Sequence, residues 1–145
     1  MIFISHRGNV DKINVKEENK PAYILNALNK NFDVEVDIWF IENKFYLGHD
    51  TPSYKVDMKF INTKRIWFHA KNIEAFYELL KLNIVCFWHE NDDVTLTSNG
   101  YIWTYPGKQL TSNSICVLPE VNNIKTFSCA GICSDFIIDY AKAQN

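Results

Sequence analysis

The chain has 145 residues, 47% apolar and 22% charged, which is ordinary globular material and fits one domain over 1–145. Fifteen Lys and Arg against seventeen Asp and Glu give a net charge of -2 without any long block of like charge, so a nucleic-acid footprint is not expected. The apolar runs are too short to span a membrane, and the first residues lack the basic and apolar regions of a signal peptide, so a cytoplasmic protein is expected.

Short β-branched or aromatic runs that end in polar residues recur along the chain. Ile2-Phe3-Ile4-Ser5 reads as a strand and ends at His6-Arg7-Gly8-Asn9. Pro21, suited to a first turn, opens a helix over 21–31 with Ile24, Leu25 and Leu28 at helical spacing. A second strand over 34–39 carries Glu35 and Asp37, and a hairpin over 38–47 turns at Glu42-Asn43 and leads into Gly48-His49-Asp50. Ile66-Trp67-Phe68 is the next strand, ending at His69-Ala70-Lys71. Asn72 then caps a helix over 73–82 with Phe76, Tyr77, Leu79 and Leu80 in the pattern. Four further strands follow. They lie at 84–88, ending at His89-Glu90; at 101–104, followed by Tyr105-Pro106-Gly107-Lys108; at 115–118, followed by Pro119-Glu120; and at 131–135. Cys86, Cys116, Cys129 and Cys133 form no C-x-x-C pair and read as buried small apolar residues in a reducing compartment.

Strands of nearly continuous apolar character suggest burial on both faces, as in a parallel sheet, and the early strand–helix–strand units agree. The later connections are too short to hold full helices. Loss of those outer helices would leave an apolar flank that a homodimer could cover.

Polar residues gather where strands end, and in a parallel sheet all those ends share one side. Glu35 and Asp37 alternate across one residue, so both carboxylates project from the same face. Two such charges call for a cation, and oxygen donors suit Mg²⁺ or Ca²⁺. His6 and His49 could act as base and acid, and Arg7 and Lys71 could neutralise phosphoryl oxygens. Those residue types together suit a small phosphodiester substrate. Of the four tryptophans, Trp103 is the choice for a wall of the site. His89 reads as a loop neighbour.

The ordered set His6-Arg7-Gly8, Glu18-Asn19, Val34-Glu35-Val36-Asp37, Gly48-His49-Asp50 and Gly131-Ile132-Cys133-Ser134-Asp135 resembles the glycerophosphodiester phosphodiesterases. That resemblance implies an α/β fold: a compact, shortened TIM-like (β/α) barrel of seven to eight strands, most of its C-terminal outer helices reduced or missing. It also implies one divalent ion (Mg²⁺ or Ca²⁺) held by Glu35 and Asp37, acid/base catalysis by His6 and His49, and a phosphate contact at Arg7. The family's acid-x-Lys motif falls on His69-Ala70-Lys71, so Lys71 is retained and the acid is replaced. His69 could ligate through nitrogen, or Glu90, Glu120 or water could complete the shell. The implied activity is hydrolysis of a glycerophosphodiester-like substrate to a phosphomonoester and an alcohol. The alternative is a catalytically degenerate protein that binds a phospho-ligand on the same scaffold.

Overall fold

A computed structural model describes residues 1–125 and 127–144. The strands are β1 (Ile2–His6), β2 (Asp33–Ile41), β3 (Lys44–Leu47), β4 (Tyr54–Val56), β5 (Ile66–Ala70), β6 (Cys86–Trp88), β7 (Val94–Leu96), β8 (Ile102–Thr104), β9 (Ser114–Val117) and β10 (Gly131–Ser134). Four short helices accompany them: α1 (Pro21–Asn29), α2 (Met58–Ile61), α3 (Ile73–Lys81) and α4 (Ile137–Ala143). Every strand read from the sequence has a counterpart within a few residues. The strands β4 and β7 and the helices α2 and α4 have none in the sequence reading. Asp57 accepts a hydrogen bond from the Phe60 amide at 2.9 Å and so caps α2, a single turn too short to leave a periodic pattern.

The TIM-like barrel is not what forms. All ten strands belong to one mixed sheet that is not closed. Its central run is parallel, in the order β6-β5-β2-β1-β10-β9-β8, while β3 and β4 extend antiparallel from β2, and β7 pairs antiparallel with β8. The physical reason lies between β6 and β8. The chain there folds β7 back on β8, so the three-residue β6 finds no ladder on its outer side among the described residues. Its backbone is satisfied locally instead. The Ser98 amide donates to the Cys86 carbonyl at 2.8 Å, Ser98 Oγ accepts from the Cys86 amide at 2.9 Å, and Thr95 Oγ1 donates to the Trp88 carbonyl at 2.8 Å.

The sheet curls strongly, and alternation sorts its side chains onto two faces. Val34, Val36 and Ile38 of β2, Ile66 and Phe68 of β5 and Ile132 of β10 pack against the helices, meeting Ile24, Ala27 and Leu28 of α1, Ala75 and Leu79 of α3 and Ile137 of α4. The opposite, concave face gathers Ile4, Trp67, Phe87, Trp103, Ile115, Val117 and Cys133. Phe87 on β6 stacks on Trp103 on β8 with ring centroids 4.5 Å apart, so the two ends of the parallel run touch through side chains where no ladder joins them. Cys86, Cys116 and Cys133 are buried, Cys129 is partly so, and all four are free thiols. No helix among the described residues is long and apolar enough to cross a membrane.

If that aromatic contact holds the curl, Phe87→Ala should lower the unfolding free energy by about 3–5 kcal/mol in urea titration. A loss well under 1 kcal/mol would place the curvature elsewhere.

Candidate functional site

The concave face carries a second layer, two residues further along each strand. Ile4 is followed by His6, Trp67 by His69, Phe87 by His89, Trp103 by Tyr105 and Cys133 by Asp135, while β2 contributes Glu35 and Asp37. Register makes neighbours of them, since His6 stands beside Glu35 and Asp37 beside His69. The apolar layer is therefore the floor of a polar pocket of about 450 Å³. It is lined by His6, Arg7, Glu35, His49, His69, Lys71, His89, Glu90, Trp103 and Tyr105, with Val117 and Leu118 on the remaining side.

Asp37 is the most elaborately held group. It is fully buried, and Asn19 grips it twice: Asn19 Nδ2 donates to Oδ2 at 2.9 Å, and the Asp37 amide donates to Asn19 Oδ1 at 2.9 Å. Arg7 Nε also lies 2.9 Å from Oδ2. On the other oxygen, Oδ1, His69 Nδ1 approaches to 3.2 Å and Lys71 Nζ to 3.7 Å. Arg7 reaches this position from a left-handed backbone (φ 52°), a conformation that costs a non-glycine residue about 1–3 kcal/mol. Two backbone bonds hold it there, from the Arg7 amide to the Glu35 carbonyl (3.0 Å) and from the Asn19 amide to the Arg7 carbonyl (3.1 Å). Gly8 completes the turn at φ 92°, where a Cβ would lie 2.6 Å from the Tyr23 ring.

Glu35 is 2% exposed, and its Oε2 has no hydrogen-bond partner; nor does Asp37 Oδ1. Burial first, and then the neighbouring Asp37 charge, push the Glu35 carboxyl above its ordinary range. Burial would raise Asp37 too. The His69 contact, the Arg7 charge and the Asn19 bond outweigh it and hold Asp37 well below the usual carboxylate range. Glu35, Asp37 and His69 each offer one ligand atom, and these lie within 4.8 Å of one another. The three residues therefore fit a metal ion.

His6 is oriented by Asp135, whose Oδ1 lies 2.8 Å from Nδ1, leaving Nε2 toward Glu35 at 3.9 Å. Asp135 is itself fixed by Asn9, which donates to it at 2.8 Å, and by its backbone N–H, which donates to Glu120 Oε1 at 3.0 Å. Burial depresses His6, but the Asp135 hydrogen bond and the Glu35 charge more than reverse this, and its pKa is raised above 6.5.

Most of the residues proposed from sequence thus meet in one place, with differences in detail. His49 lines the rim, partly exposed, with Nδ1 2.7 Å from Asp50 Oδ1. Glu90 lines the pocket but is exposed and stands outside the three-residue group, and Glu120 is occupied in holding Ser134 and Asp135. Trp103 is buried in the floor beneath the site. Asn19, Asp135 and His89 carry more than the sequence reading assigned them. The same-face step from Phe87 to His89 and from Cys133 to Asp135 was the available signal. His89 is 7% exposed, neither ring nitrogen has a hydrogen-bond partner, and burial together with His69 lowers it to about 4. Its ring centroid lies 3.8 Å from that of Tyr105.

No family model, curated protein or solved structure matches this chain.

Because His6 is raised on folding, its contribution to stability is complete below pH 6.5 and is lost as pH rises through the raised value. In EDTA, Asp135→Asn should move the NMR titration of His6 downward and shrink the stability lost across that window. An unmoved titration would remove Asp135 as the cause.

Proposed function

We propose that this protein is a divalent-cation-dependent phosphodiesterase that cleaves a small glycerophosphodiester-like substrate into a phosphomonoester and an alcohol. One observation carries the reading. Two buried carboxylates, each with an oxygen lacking a hydrogen-bond partner, stand together at a pocket, Glu35 in its lining and Asp37 beside it, that also holds four imidazoles and the cations Arg7 and Lys71. Acidic residues on an ordinary exposed strand edge would be solvated, and these are not.

Glu35, Asp37 and His69 would hold the ion, which when bound supplies positive charge against the phosphoryl oxygens. Lys71 adds a second charge beside Asp37. Asp135 keeps the proton of His6 on Nδ1, so Nε2 of the neutral ring is the lone pair that takes the proton of the attacking oxygen. As the new phosphorus–oxygen bond forms, the bond to the alcohol breaks and the leaving oxygen takes a proton from His49 on the rim. Raised basicity at His6 suits it to the accepting role. The aromatic floor of Trp67, Phe87 and Trp103 excludes water from below.

A second reading, binding of a phosphorylated ligand without turnover, is favoured by Arg7. Its guanidinium is engaged with Asp37 at 2.9 Å and with Glu18 at 3.4 Å, so it is partly withdrawn from a phosphate.

Purified protein supplied with divalent ions should hydrolyse bis(p-nitrophenyl) phosphate and glycerophosphocholine. EDTA should abolish the activity, and His6→Ala should reduce kcat by about 10²–10⁴-fold. Rates indifferent to both would refute the enzyme. Saturable binding of glycerol phosphate with no turnover of either diester would establish the second reading.

A further inference from the structure

Asp37 and His69 each have one end tied and one end turned to the cluster, and Glu35 joins them with an unpartnered oxygen. Asp37 Oδ2 is taken by Asn19 and Arg7, while Oδ1 has no hydrogen bond. Glu35 Oε2 likewise has none. His69 Nε2 lies 3.0 Å from the His89 carbonyl oxygen, which can only accept, so Nε2 carries a proton. Nδ1 faces the carboxylates, 3.2 Å from Asp37 Oδ1 and 3.8 Å from Glu35 Oε1. Two buried carboxylate oxygens and an imidazole nitrogen that converge this closely make a ready donor set for a cation. A backbone carbonyl holding the far nitrogen of an imidazole is also the arrangement that orients histidine ligands in metal sites. Phe87, stacked on the His69 ring with centroids 5.0 Å apart, fixes the ring plane.

Resting on the cation-dependent reading above, we propose that this site selects a first-row transition ion, bound by Glu35, Asp37 and the Nδ1 nitrogen of His69, over Mg²⁺ or Ca²⁺. Mg²⁺ and Ca²⁺ take oxygen donors, whereas imidazole nitrogen favours the later transition ions, so one nitrogen among three protein ligands shifts the preference. His69 is the residue that sets it.

The test reads binding, not activity. Protein stripped with EDTA is titrated with Co²⁺ while its visible absorption is followed, and the bound ion is then challenged with Zn²⁺, Mn²⁺, Mg²⁺ and Ca²⁺. One Co²⁺ per chain should bind, Zn²⁺ should displace it, and a large excess of Mg²⁺ or Ca²⁺ should not. A transition ion outcompetes Mg²⁺ at many sites, so the deciding measurement is the Co²⁺-to-Mg²⁺ affinity ratio in His69→Glu. It should fall roughly 10- to 100-fold with altered cobalt bands, circular dichroism confirming the fold. An unchanged ratio and spectrum in His69→Glu, or displacement by equimolar Mg²⁺ in the wild type, would overturn this inference and leave a cation-dependent phosphodiesterase standing. Absence of binding by any of the five ions would overturn both. Loss of diester hydrolysis with cobalt binding and its His69 dependence intact would overturn the activity alone.

Discussion

Two carboxylates buried side by side on β2 constrain everything around them. Glu35 and Asp37 share a face because a strand alternates, and that face is the concave one, away from water and away from the helices. Such a pair is tolerated only where cations and donors converge on it. Arg7, Lys71, His69 and Asn19 do so from three different segments, and the Arg7 backbone is forced into a left-handed turn to take part. Loops that would otherwise be free to vary are in this way tied to the sheet.

The site depends equally on what lies beneath it. Trp67, Phe87 and Trp103 fill the concave face one layer below the polar residues and close the pocket to solvent from that side. The low polarity of that floor strengthens each charge interaction above it and makes any unpartnered oxygen more costly. Packing and chemistry are thus successive layers of the same strands, two residues apart.

A parallel order reaching from β6 to β8 without closure shows how few residues this scaffold uses. Connections on the C-terminal side carry a 3-10 turn at Pro119–Asn122 in place of an α-helix, and hydroxyl groups of Thr95 and Ser98 stand in for a strand ladder beside β6. Expectation of a barrel failed here for a definite reason. The parallel strands and their apolar character follow from local patterning, while the short β4 and β7 do not. Closure depends on whether two distant edges pair, which the folding of β7 onto β8 decides.

Local patterning was enough to place the parallel strands, both long helices, the β2–β3 hairpin and the same-face relation of Glu35 and Asp37, because side-chain alternation and capping act over a few residues. It also brought forward His6, Arg7, His49, His69 and Lys71 as strand-end residues, and all of them line one pocket. Only the tertiary structure could reveal that Asp135, 129 residues away, holds His6, that Asn19 clamps Asp37, and that Glu90 and Glu120 stand apart from the three-residue cluster. Those relations depend on strand order and register between distant segments. The energies that set them arise from burial, and burial exists only once the sheet has curled.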